Sequence, residues 1–462
     1  MMCSKYMMGM VVVVCLNHQP VLMAEESASA DAFQNELMSS NKDLTPPGLA
    51  GKPADASAAA PVSRVWPDNA PVDCPFPKSS EFSGIEFTGR HAEYTQADTW
   101  YPSWASDGNL YSPYTDGTAD PLPKCVSAAP IYNTGCARIE GDNPLALKVI
   151  PLGIRKVPGA PYKGRYPCGT LVYNGLWYYG SYAVATHKYP YDILGPFVGF
   201  DISRDFGKTW EKTPFTSKRP LFGEAYEPFV SYVSTNKDPV LNMRAATDAQ
   251  VVAIPKVKMG TPHFVDFGKN MEHSPDGKAY LVAHGATRPQ ACNSWVSGDQ
   301  VYLARVKPSP ETINNIGCYE FFAGCDASGL PLWTNSFFAI KPLLEWNDRL
   351  GCVTVTWNPV LRRFFMCIID GGNSGMDDFN TMIMEAETLT GPWRRVVLME
   401  KFGDQAYFAN FPSKFIGGDG RTMWLSYSAN YAPKNKRAAN PAGSSYRMCL
   451  QEVRLVKPET AR

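Results

Sequence analysis

Charge is what this sequence has least of. Only 19% of the 462 residues are Asp, Glu, Lys or Arg, and 44 basic residues balance 44 acidic ones. A chain so balanced has no global field for DNA, RNA or an acidic membrane surface, so no nucleic-acid partner is expected. Twelve cysteines and six histidines occur, yet no Cys-x-x-Cys pair or Cys/His cluster has metal-ligand spacing. No Asn-x-Ser/Thr sequon is present. The one apolar run, Met8–Leu16, is too short to span a bilayer, and no second run follows.

Turn formers and aromatics are plentiful instead, with 37 Gly, 39 Pro and 12% Phe, Trp and Tyr. Many turns and few charged helical faces point to a β-rich protein. Residues 1–24 read as a secretory signal, with Lys5 before the apolar run and cleavage near Ala24. Residues 25–75, rich in Ala, Ser and Pro, read as a flexible leader. The remainder, 76–462, is expected to be one globular domain starting near Cys74. Three cysteine pairs are close enough in sequence to bridge: Cys125 with Cys136, Cys318 with Cys325, and Cys352 with Cys367. Ordinary buried thiols are the alternative.

One unit recurs along the domain: a short strand, a tight turn, a second strand heavy in aromatics, and often a third strand. Its turns fall in "SDGNLYSPYTDG" (106–117), "YNGLWYYGSYA" (173–183), "SPDGKAYLVAHG" (274–285), "NPVLRRFFMCIIDG" (358–371) and "GGDGRTMWLSYSA" (417–429). The Asp-Gly, Asn-Gly and Asn-Pro steps are hairpin chemistry. Five repeats of a small antiparallel sheet predict an all-β fold, a five-bladed β-propeller of four-stranded blades, with a long-looped β-sandwich as the alternative.

Two resemblances sharpen this. "SRDFGKTW" resembles the Asp-box of sialidases and related propellers. That likeness implies a structural turn between third and fourth strands, built by Ser203, Asp205, Gly207, Thr209 and Trp210. "ETLTGPWRRV" (387–396) and "PDGKAYLVAHG" (275–285) are similar to pieces of five-bladed glycoside hydrolases of the family 43 type, and "ADTWYPSWASDGNLYSPYTDG" resembles an exported, arabinan-degrading bacterial group. These resemblances imply hydrolysis of a glycan at the face where inner strands begin. The arginine triad and further boxes of a sialidase proper are not seen.

Propeller geometry sorts the candidates for that face. Asp98 and Trp100 open the first inner strand, Arg165 and Tyr166 the second. His263 and Asp266 lie on the third, and Asn410 on the fifth. Asp116, Tyr182, His284 and Asp370 end the second strands. The loop 211–260 offers Glu224, Glu227 and Arg244. Asp107, Asp276 and Asp419 fall in the 1–2 turns, where turn chemistry accounts for them. Glycosidic hydrolysis needs two carboxyl groups flanking the bond. Asp98 is read as base or nucleophile, at the place of the family 43 base. Glu227 is read as the acid ahead of Glu224 and Asp266, with Asp116 or Asp266 tuning it. Trp100, Asp116, Arg165, Tyr166, Tyr182, His263, His284, Asp370 and Asn410 are expected to bind substrate. His263, His273 and His284 are near in sequence but lack a clear third ligand apart from Asp266, so neither a metal nor a cofactor is predicted. Two other readings compete: a lyase using a His or Tyr base and Arg165 on a uronate, and a non-catalytic glycan-binding propeller. The expected protein is a secreted or periplasmic monomer acting on a glycan.

Overall fold

The computed structural model describes residues 62–159, 162–184, 193–235, 247–371, 379–429 and 439–459. The signal, most of the leader and Arg244 lie outside these residues. The chain enters through β1 (Arg64–Val65) and β2 (Gly84–Glu93), which belong to the last blade. Blade 1 then follows as β3 (Ser103–Trp104), β4 (Leu110–Tyr114), β5 (Asn133–Glu140) and β6 (Lys148–Lys156). Blade 2 is β7 (Gly164–Tyr173), β8 (Leu176–Val184) and β9 (Leu194–Ser203). Two helices, α1 (Glu227–Thr235) and α2 (Asp248–Ala253), lie in the connection to blade 3. Blade 3 runs β10 (His263–Phe264), β11 (Ala279–Gly285), β12 (Gln300–Val306), β13 (Glu320–Cys325) and β14 (Pro331–Thr334), with β15 (Leu344–Glu345) also on β12. Blade 4 is β16 (Val353–Asn358), β17 (Arg363–Asp370), β18 (Asn380–Ala386) and β19 (Arg394–Met399). Blade 5 is β20 (Ala406–Asn410), β21 (Thr422–Ala429) and β22 (Cys449–Val456), completed by β2 and β1. The five antiparallel sheets form a five-bladed propeller, and the five expected turns each precede a second strand.

The central strands are buried on both faces and so read as near-continuous runs rather than alternating ones, while outer strands such as β6 and β14 are partly exposed. All ten residues of β9 and all seven of β11 are buried. The core divides into five apolar clusters, one for each junction between neighbouring blades.

Hydrogen bonds also link the inner strands around the axis. Val172 N donates to Ser103 Oγ at 2.9 Å, joining blades 2 and 1. Gly169 N donates to Pro262 O at 2.9 Å, joining blades 2 and 3. Asp266 N donates to Val355 O at 2.9 Å, joining blades 3 and 4. The Thr354 and Thr356 hydroxyls donate to Ala409 O at 2.7 Å and Phe411 O at 2.6 Å, joining blades 4 and 5. Asn410 Nδ2 closes the ring on Trp100 O at 3.0 Å.

The structure departs from the expected plan in three places. First, the blades are unequal. Among the described residues blade 2 has no full fourth strand: Glu211 pairs there, with Ile202. The side chain of Asn314 fills in, accepting from Phe200 N at 3.0 Å and donating to Phe200 O at 2.7 Å, as a neighbouring strand would. Second, ordered structure begins ahead of Cys74. The strap 64–93 runs along β19, where Asn69 N donates to Leu398 O at 3.1 Å and Asp68 pairs with Arg395, before becoming the outer strand of blade 5. It buries Trp66, Phe76, Phe82, Ile85 and Phe87, each contributing on the order of 1.5–3 kcal/mol. Third, all ten described cysteines are free. Register explains one pair: Cys367 faces Thr354, while Cys352 bonds with Ile369. Between Cys318 and Cys325 lies the extended strand β13, which keeps the thiols roughly 20 Å apart. Cys125 and Cys136 donate to different carbonyls, of Gly117 and Gly153, each at 3.5 Å.

"DISRDFGKTW" forms the turn leaving β9. Asp205 Oδ1 accepts from Ser203 Oγ and Thr209 N, each at 2.8 Å, and Gly207 N donates to Ser203 Oγ at 2.8 Å. Bonds from Thr209 hold the Asp205 carboxyl down at about 2. Trp210 packs on Trp177 and Tyr179 of blade 2 and lies 4.1 Å from the Arg155 guanidinium of blade 1. It therefore sits in the junction between the two blades.

Gly169 tests how closely the inner strands must approach. A Cβ there would lie 2.6 Å from Pro262 O and 2.8 Å from the His263 Cα. Gly169→Ala should cost about 1–3 kcal/mol in denaturant unfolding; unchanged stability would show that the blades can part without penalty.

Candidate active site

Asp98 stands at the channel end where the inner strands begin. Its backbone pairs with Thr115, with both N–H···O bonds at 3.0 Å. This pairing brings Asp116, the next residue along, beside Asp98. The residues following the pair, Thr99 (φ 66°) and Asp116 (φ 50°), are both left-handed, as is Phe408 (φ 58°) on the facing inner strand. For a β-branched residue such as Thr99 that conformation is strained, and such strain concentrates at functional sites.

Asp98 is 7% exposed. Tyr407 donates to its Oδ2 at 2.6 Å, and Thr99 Oγ1 to its Oδ1 at 2.9 Å. Tyr446 stands beside it and donates to Asp116 O at 3.2 Å. Burial, and then the charge of Asp116, push the Asp98 carboxyl up to about 7 against the opposing bonds from Tyr407, Thr99 and Tyr446. A carboxyl poised there accepts or holds a proton near neutrality. Asp116 is itself fixed by Ser127 N, 2.8 Å from its Oδ1. Sequence reading found both carboxylates but missed Tyr407 and Tyr446, which lie more than 300 residues from Asp98 in the chain.

The other candidates distribute along and around the channel. His263, Asp266 and Asn410 line a small cavity of about 30 Å³. His263 is buried with its ring 4.0 Å from that of Tyr101; its Nε2 has no hydrogen-bond partner, and burial pushes its pKa down to about 3. Asp266 accepts from Gly268 N at 3.0 Å and from Ser413 N and Oγ at 2.8 and 2.7 Å, so its carboxylate serves the junction with blade 5. Asn410 closes the inner ring. His284 is fully buried between the Thr261 hydroxyl at 3.0 Å and Ser294 O at 2.8 Å, and burial holds it neutral, down to about 4. It props a loop and has no open edge. Among the described residues no three His, Cys, Asp or Glu side chains are grouped to hold a metal ion.

Trp100 is a correction. Its ring is fully buried, stacked on Tyr114 at 5.2 Å with its N–H on Ala97 O, so it offers no face to a sugar. Arg165 is a second: only 3% exposed, it donates to Ser181 Oγ at 2.9 Å and Pro158 O at 3.1 Å. Tyr166 and Tyr182 face each other across β7 and β8 and stack at 5.7 Å, Tyr182 being buried. Asp370 pairs with Arg349 at 2.9 Å. Glu227 is exposed as the first residue of α1; burial first, then Tyr226 and the Glu227 charge, raise the Tyr162 phenol. No described contact joins Glu227 to Asp98. Glu224 accepts from Lys258 N at 2.6 Å, its Oε2 has no partner, and burial pushes it up to about 7.

No protein-family model and no curated protein matches the chain. Solved structures do. The GH43_1 enzyme from Xanthomonas citri is similar over 78% of this chain and 89% of its own, at 14% identity and a TM-score of 0.41. An α-L-arabinofuranosidase from Podospora anserina, solved with cellotriose, is similar over 85% and 95%, at 12% identity and a TM-score of 0.38. A Dyadobacter fermentans protein of unknown function is similar over 80% and 99%, at 12% identity and a TM-score of 0.37. These neighbours include glycoside hydrolases. Likeness at this level identifies neither an activity nor a residue.

The Asp98 environment has a measurable consequence. Its folded-state pKa, about 7, lies above the ordinary value of about 3.9, so the folded form binds the extra proton. That contribution to stability is complete below pH 4 and is lost as pH rises through 7. Asn has no charge to bury, so Asp98→Asn should gain melting temperature over the parent between pH 5 and pH 8. A gap independent of pH would show that the carboxyl is not so placed.

Proposed function

We propose that this chain is a glycoside hydrolase whose site is the Asp98 end of the axial channel. The observation that carries the reading is the Asp98 carboxyl itself: almost buried, bonded to Tyr407, set beside Asp116 and raised to about 7. Asp98 acts as the base or nucleophile, and Tyr407 and Thr99 fix its two oxygens. Asp116 tunes it. Glu227 supplies the acid, with Glu224 the next choice because its carboxyl is also raised to about 7. Asp266 is left out, since three donors already occupy its carboxylate. The resemblance of "PDGKAYLVAHG" and "ETLTGPWRRV" to family 43 enzymes supports the reaction class. Export by the signal read in residues 1–24, and with it action outside the cytoplasm, belongs to the same proposal.

The lyase alternative is weaker on physical grounds. Arg165 is occupied between Ser181 and Pro158, and burial raises Tyr407 and Tyr446 well above ordinary phenols, so neither is a ready base.

A panel of plant, algal and bacterial glycans tests the reading. Cleavage should release new reducing ends without the absorbance near ~235 nm that an elimination product would show. Asp98→Asn should lower kcat at least ~10³-fold with the fold intact. Glu227→Gln should spare substrates whose leaving group needs no proton, and Glu224→Gln should not imitate it. Near-normal turnover by both Asp98→Asn and Glu227→Gln would overturn the assignment.

A further inference from the structure

One tryptophan reaches from blade 3 to the aromatic residues beside Asp98. Trp295 sits in the loop between β11 and β12 of blade 3, yet its ring reaches blade 5. It lies 5.4 Å from the Tyr407 ring, 5.6 Å from Phe408 and 5.7 Å from Phe379. To get there the loop passes the start of the blade 4 inner strand, where Cys352 N donates to Trp295 O at 3.0 Å. Blade 4 stands between blades 3 and 5, so the indole bridges two blades that are not neighbours.

The loop is held firmly. Ser294 pairs with Ile193 of blade 2, Gly371 N donates to Val296 O at 3.0 Å, and Ser294 O receives the His284 Nε2–H at 2.8 Å. Gly351 gives the loop room: a Cβ there would lie 2.3 Å from Val296 O. Phe379, Tyr407 and Phe408, which its ring touches, are buried, whereas Trp295 is only half-buried. Tyr407 touches Trp295 with its ring and Asp98 with its hydroxyl, so one side chain separates the indole from the carboxyl.

We propose that Trp295 is the platform on which a neutral sugar ring lies beside Asp98. An indole face held rigid from below matches the apolar C–H face of a sugar, and its attachment to three blades fixes the height at which the ring rests. The inference rests on the hydrolase reading of the Asp98 end. Trp295 is then a substrate-positioning residue, and His284 supports it from the core.

The test uses the full chain carrying Asp98→Asn, with xylotriose, cellotriose and α-linked arabinotriose as probes. At least one should bind and change tryptophan fluorescence. That change should vanish in Asp98→Asn/Trp295→Phe, and Asp98→Asn/Trp295→Ala should bind tenfold or more weakly. In the active background, Trp295→Ala should raise KM by a factor of ten or more while kcat falls less, with Trp295→Phe intermediate. Phe keeps the packing on Tyr407 and Phe408, so it reports on binding even if Ala disturbs the loop. A plug with no substrate contact would instead lower the melting temperature and kcat with KM unmoved, and that result overturns the platform. So does failure of all three probes to bind. If Trp295→Ala leaves KM unchanged while Asp98→Asn abolishes turnover, the platform falls and the hydrolase reading stands.

Discussion

The five inner strands approach the axis so closely that they hydrogen-bond to one another in a ring, and the rest of the molecule follows from that. Little space remains inside. Ser103, Thr354, Thr356 and Asn410 turn polar side chains toward the neighbouring strand instead of toward a ligand. Asp266 does the same with its carboxylate. A buried polar group is costly when unpaired and neutral or favourable when satisfied, so the channel is polar and still structural. The proposed chemistry lies at the end of the channel where the strands begin and where Asp98 and Asp116 stand together.

At that end the physics changes sign. Asp98 is buried next to a second carboxylate, and the residues flanking its pairing take left-handed conformations that cost stability. The surrounding rings hold this arrangement in place: Tyr407 and Phe408 are themselves packed against Trp295, and Trp295 is tied to three blades. The strap 64–93 contributes from outside by completing blade 5, the blade that carries Tyr407. The proposed site, made from residues 98, 116, 295, 407 and 446, is therefore anchored to the sheet that closes the propeller.

The sequence displayed the architecture through its turns, because an Asp-Gly or Asn-Gly step has a conformational meaning that survives any context. The strap was not legible. It is Pro- and Ser-rich, and its partner β22 is some 370 residues away. Separation along the chain also hid Tyr407, Tyr446 and Trp295, which look like ordinary core aromatics until the blades are assembled. Trp100 erred the other way: nothing local separates a tryptophan stacked on Tyr114 from one facing a sugar. Arg165 and His284 are polar residues at positions that suggest a ligand, but Ser181, Pro158, Thr261 and Ser294 had already taken their donors and acceptors. Asp98 and Asp116 were legible because strand order alone places them at one end of the barrel.

The central claim is that the Asp98 end of the channel, and no other surface, receives the sugar. A crystal structure of Asp98→Asn soaked with a bound trisaccharide tests it most directly. The account predicts a sugar ring over Trp295 with its anomeric carbon facing residue 98. A trisaccharide seated on the opposite face, among the turns at 107, 276 and 419, would contradict it.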